Sequence, residues 1–61
     1  MAMGGDQIRN AQQALIADGA KIKADGKMGP KTKAALRAYQ SKHGLARTGK
    51  LDAETSRSLG I

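Results

Sequence analysis

Few side chains in this sequence could do covalent chemistry. His43 is its one histidine and cysteine is absent, so no thiol–imidazole pair can form. A serine–histidine–carboxylate arrangement would have to use His43, which stands beside Gly44 at a helix end. A cation there complements the negative end of the helix dipole, which gives the histidine a structural reading. Asp6, Asp25, Asp52 and Glu54 fall at helix starts or turns, where capping of free N–H groups explains them better than paired acid–base work. Asp18 lies at a helix end. One histidine with scattered aspartates offers neither the spacing nor the ligand number of a metal site. The expectation is a chain without catalysis, metal or cofactor.

Binding chemistry is better represented. The segment Asp25-Gly26-Lys27-Met28-Gly29-Pro30-Lys31-Thr32 superficially resembles a phosphate-cradling loop. It lacks the Gly-Lys-Thr ending, however, and Pro30 removes one of the N–H donors such a loop would use. A turn is the expectation. Lys31, Lys33, Arg37 and Lys42 could form a basic helix face for nucleic acid. Paired recognition helices, though, are joined by turns of about three or four residues, and longer segments separate the helices here. Single-strand binding wants several stacking aromatics, and Tyr39 is the sole aromatic residue. A solvated face is therefore expected, with no nucleic acid as partner. Gln40 can donate and accept at once, which suits either closing a loop's backbone groups or holding a peptide. Tyr39 falls on the apolar face, with its hydroxyl at the rim.

These residues depend on elements whose punctuation is written twice. Asp25-Gly26-Lys27-Met28 leads into Thr32 and Leu36, and Thr48-Gly49-Lys50-Leu51 leads into Thr55 and Leu59, each position 23 residues on (25 to 48, 32 to 55, 36 to 59). Each copy reads as a Gly turn, an apolar anchor, a helix start and a first core leucine. The first helix is expected to open at Asp6, with Ile8, Ala11, Gln12, Leu15 and Ile16 on one stripe, and to close at Asp18-Gly19. Residues 20–29 read as a connector anchored by Ile22 and Met28, with room for a short extended stretch. Pro30 suits the first turn of the second helix, whose inward face would carry Thr32, Ala35, Leu36, Tyr39 and His43 and which Gly44 ends. Asp52, with Thr55 three residues later, opens the third, as a variant of the reciprocal capping pattern.

The 61 residues suffice for one domain, and one this small buries only about 60% of its unfolded surface. Its core would draw on Ile8, Leu15, Ile16, Ile22, Met28, Leu36, Tyr39, Leu45, Leu51, Leu59, Ile61 and several alanines. That fills one layer of helix packing and leaves too little to enclose a deep cleft. The net charge of +6 implies attraction to anionic partners. No apolar run approaches the roughly 20 residues of a membrane span. Residues 1–5 are expected to be a leader or expression remnant and residues 6–61 the domain.

Between Ile8 and Leu59 the sequence resembles the small three-helix peptidoglycan-binding module of bacterial and phage cell-wall enzymes. Ile8 or Ala11, Gln12 and Leu15 fill that family's first helix pattern. Asp25, Gly26, Met28, Gly29, Thr32, Ala35 and Leu36 fill its turn-helix signature. Tyr39-Gln40, Gly44-Leu45, Thr48-Gly49-Lys50-Leu51-Asp52, Thr55 and Leu59 complete it. Met28 stands where an aromatic is usual, and Tyr39 where Phe is common. The resemblance implies an all-α, orthogonal three-helix bundle with two pseudo-repeated turn-helix units. It further implies a non-catalytic, monomeric module in the cell wall or periplasm, exported or phage-delivered, that holds a covalently linked catalytic domain on murein, through stem peptides. A protein-interaction or pro-segment module reusing the fold is the alternative. Exposure and chemistry single out Asp25, Lys27, Lys31, Arg37 and Gln40 as ligand contacts.

Overall fold

A computed structural model describes residues 4–61. It contains three helices, α1 (Gly4–Ala17), α2 (Pro30–Lys42) and α3 (Ala53–Leu59), and no strand among the described residues. The connector at residues 20–24 therefore pairs with nothing, although its side chains alternate between half-buried and exposed. α1 packs against both other helices.

All three helices end in one hydrogen-bond motif. After α2, the Gly44 N–H donates to the Ser41 carbonyl and the Leu45 N–H to the Gln40 carbonyl at 2.7 Å. Gly19 and Ala20 do the same after α1, as do Gly60 and Ile61 after α3. This paired closure satisfies carbonyls that the last turn leaves open, and it requires a left-handed residue at the glycine position. The starts differ. Pro30 stands at the head of α2 behind Gly29, which has no side chain to cap with, whereas Asp52 caps α3 by accepting the Thr55 N–H at 3.1 Å.

α1 begins at Gly4 rather than at Asp6, so Asp6 lies in its first turn and not at its cap. A carboxylate there still complements the positive end of the helix dipole. Residues 1–3, part of the expected leader, lie outside the described residues.

The wholly buried apolar core is smaller than the expected set. Ala11, Leu15, Leu36 and Tyr39 form it, with Ile22, Met28, Leu45, Leu51 and Leu59 packed partly buried around the three larger ones. Ile16 and Ile61 are 40% and 41% exposed. Leu15 takes the inward position on the last turn of α1, and the next residue, about 100° around the helix, faces outward. Inward positions that a larger domain would fill with aliphatics hold Gln12, Thr32, Gln40 and Thr55, all buried. His43 is partly exposed, its ring centroid 4.1 Å from that of Tyr39. Its Nε2 is 3.8 Å from Asp18, which also pairs with Lys42 at 3.3 Å.

Candidate functional site

The four buried polar side chains form two matching latches. In the first, Gln12 of α1 accepts the Gly26 N–H at 2.8 Å through Oε1. Its Nε2 lies 3.0 Å from Asp25 Oδ1, 2.9 Å from the Lys27 carbonyl and 3.0 Å from Thr32 Oγ1. An amide has two hydrogens, so three acceptors share them. In the second, Gln40 of α2 accepts the Gly49 N–H at 2.9 Å. Its Nε2 lies 3.1 Å from Thr48 Oγ1, 3.0 Å from the Lys50 carbonyl and 2.9 Å from Thr55 Oγ1. Each glutamine thus closes one Gly turn and ties it to the helix that follows. Gln12 reaches partners 13, 14, 15 and 20 residues on, and Gln40 reaches the equivalent partners 8, 9, 10 and 15 residues on. The second connector is shorter, but the latch is the same. Among the described residues no buried side-chain nitrogen or oxygen lacks a partner.

Two carboxylates stiffen these turns. Asp25 Oδ1 also accepts the Lys27 N–H at 2.9 Å. The hydrogen bond from Gln12 first, and that N–H second, hold the Asp25 carboxyl below the usual carboxylate range. Thr55 and then Thr48 do the same for Asp52.

The first turn borders a cleft of about 630 Å³. Lys21, Lys23, Lys27 and Lys31 line it, and Ile22 and Pro30 give it apolar surface. Asp25 is the one carboxylate among its lining residues. A second hollow of about 450 Å³ shares Lys21, Ile22 and Lys31 with the first and continues along α2 over Ala34, Ala35 and Ala38. The result is a basic groove with a floor of small apolar groups.

Asp25, Lys27 and Lys31 come together at this cleft. Arg37 and Gln40 do not. Gln40 is wholly buried, and its amide is taken up by the second turn. Of the two roles its chemistry allowed, loop closure is the one its contacts show. Arg37 lies against Gly49, on which a Cβ would come within 2.9 Å of Nη1 and 3.2 Å of Cγ. Sequence reasoning missed Lys21 and Lys23. Their alternation with half-buried Ile22 was the available signal, because an extended segment sends alternate side chains to opposite sides. It also missed that Gln12 and Gln40 are equivalents. A glutamine on the apolar stripe of each helix ahead of a Gly turn was the signal there.

Among the described residues, no three His, Cys, Asp or Glu side chains gather where they could hold a metal, and no helix is long and apolar enough to cross a membrane. Asp25, already bonded to two donors, has no second carboxylate or histidine beside it among the residues lining the cleft. The arrangement can attract and hold an anionic, partly apolar chain.

The family model described as "Putative peptidoglycan binding domain" matches residues 4–59. The chain belongs to this family. The match runs from the first residue of α1 to the last of α3 and so takes in both latches and the cleft of this peptidoglycan-binding domain. No curated protein and no solved structure compared with the chain is similar enough to match it. Peptidoglycan binding is the general function that the family assigns, with a cell-wall-associated role, and the family is a binding one rather than a catalytic one.

Proposed function

We propose that this domain grips peptidoglycan by its stem peptides in the groove beside the first turn, and so holds a covalently attached catalytic domain on murein. The observation that carries the reading is the gathering of four lysines around apolar surface from Ile22 and Pro30, continued by the alanines of α2. Stem peptides combine carboxylates with small methyl side chains, and the groove offers the complement of both. Lys27 and Lys31 take carboxylates, with Lys21 and Lys23 beside them. Asp25, whose Oδ1 is engaged by Gln12 and Lys27, presents its other oxygen to a peptide N–H. Gln40 acts indirectly, by fixing the second turn.

Exposed ion pairs contribute about 0–1 kcal/mol each, so binding to one stem peptide is weak and screened by salt. Repetition of the peptide along the polymer raises retention without new contacts. A module of this kind works outside the membrane, exported or delivered by phage, as a monomer on a polymeric surface.

Co-sedimentation with purified sacculi, free of nucleic acid, tests the proposal. The domain is expected in the pellet at low salt, with K21Q/K31Q left largely in the supernatant. Failure to sediment at low salt, or specific capture of a partner protein while sacculi are ignored, overturns it.

A further inference from the structure

A third hollow, of about 570 Å³, shares Ala38 and Lys42 with the alanine-floored hollow. Arg37, Ser41, Lys42 and Arg47 line it, and no carboxylate does. Lys42 is already paired with Asp18. Arg37 and Arg47 form no ion pair among the described residues. They come from different elements, Arg37 from α2 and Arg47 from the loop after it.

Arg37 is also braced. Its stem and guanidinium lie over Gly49, a buried residue at φ +70°, where any side chain would strike Cγ and Nη1. Gly49 is itself held by the Gln40 latch. The side chain of Arg37, exposed as a whole, therefore lies along a fixed turn, and such packing lowers the entropy lost when a side chain engages a ligand.

We propose that this hollow is a second anion site, distinct from the peptide groove, that takes a phosphodiester group of an anionic wall polymer. The chemistry of the lining suits a phosphodiester. Two guanidiniums from separate elements and a hydroxyl face one concavity, with the Lys42 ammonium, held by Asp18, at its edge. Planar guanidinium forks match phosphate oxygens in pairs. Nucleic acid fits less well. Tyr39, the only Phe, Tyr or Trp side chain, is buried, and the His43 ring already lies against it, so no row of rings is offered for base stacking. A domain with both sites would engage murein and the phosphate-linked polymer attached to it together, gaining from the high effective concentration of the second contact.

Titration of the labelled domain with glycerol-phosphate oligomers, followed by amide NMR shifts, tests this. Saturable shifts centred on Arg37, Ser41 and Arg47 are expected, and R37Q and R47Q should each weaken binding about three- to fivefold. R37Q keeps the methylenes over Gly49, and R47Q changes an exposed loop residue, so both leave the fold in place. Sacculi stripped of phosphodiester polymers should bind wild type and both variants equally, whereas unstripped sacculi should favour the wild type. Shifts confined to the groove of Lys21 and Lys31, or no saturation, overturn the proposal. So does an oligonucleotide of equal charge that binds the same residues as tightly. Loss of the peptide groove through K21Q/K31Q leaves these phosphate shifts intact, so the two sites fail separately.

Discussion

A glutamine buried without exposure in a core this small is a costly choice unless its amide is fully used, and Gln12 and Gln40 are both fully used. Their replacement by leucine fills the space but abandons a turn N–H, a carbonyl and a threonine hydroxyl. A buried polar group left without a partner costs about 1–3 kcal/mol. Two of the Gln40 bonds are fully buried, against one for Gln12. Q40L is thus expected to lower unfolding free energy by about 2–4 kcal/mol, and Q12L by less, in urea titrations. Equal losses would contradict the ranking. These partners were not legible in the chain. The turns repeat at one spacing and the glutamines at another, and which backbone groups an amide meets is decided only when helix and turn pack. The carboxylates act at the same scale. Asp25 and Asp52 titrate below the usual range because hydrogen bonds favour their charged forms. Their stabilisation is complete above about pH 4 and disappears as pH falls through the lowered folded values. D25N/D52N, which keeps an acceptor oxygen at each position, is expected to flatten the fall in melting temperature below about pH 4. An unchanged acid limb would show that other groups control it.

At the scale of elements, the two turn-helix units differ most clearly at one pair of equivalent positions. Asp52 caps α3, whereas Gly29 heads α2 with no cap bond, an extended backbone, and open space where a Cβ would go. G29D should supply the missing acceptor for the Thr32 N–H and place a negative charge at the start of the helix. The expected gain is about 0.5 kcal/mol, since a glycine cap is only a few tenths poorer than aspartate and the dipole adds slightly. Gly29 also lines the lysine cleft, so the same substitution should weaken sedimentation with sacculi. Thermal unfolding and co-sedimentation, measured on one preparation, would show the two properties moving in opposite directions. Improved binding by G29D would place the ligand elsewhere. The boundaries of α2 and α3 were readable because Pro30 fixes φ, Asp52 makes a specific capping bond, and Gly44 and Gly60 take up the positive φ that other residues adopt only at a cost. The start of α1 was not, because Asp6 is an equally good residue for a cap and for a first turn, and only the path of the backbone distinguishes them. Ile16 was read as core for a similar reason. A stripe of apolar residues on a short helix is wider than the single layer it packs against.

For the whole molecule, a net charge of +6 creates two ways to hold an anionic polymer, and they predict different mutants. A diffuse positive field attracts any polyanion, depends on total charge, and is screened over about 8 Å at physiological ionic strength. A site depends on where the charges stand. Basic character was plain in the composition, but its location was not, because Lys21 and Lys23 sit in a connector whose path only tertiary packing defines. The comparison that separates field from site removes equal charge in two places. K21Q/K31Q empties the groove of two cations, while K33Q/K50Q removes two exposed lysines that do not line it. If the groove is the peptide site, the first pair should lower retention on sacculi about tenfold, as expected when two contacts each worth up to about 1 kcal/mol are lost. The second pair should change it less than about twofold, through the field alone. Equal effects from both pairs would reduce the domain to a basic particle on an acidic surface, with no groove needed. The ordering should also survive at raised salt, where the field fades first and contacts within the partly enclosed groove persist longer.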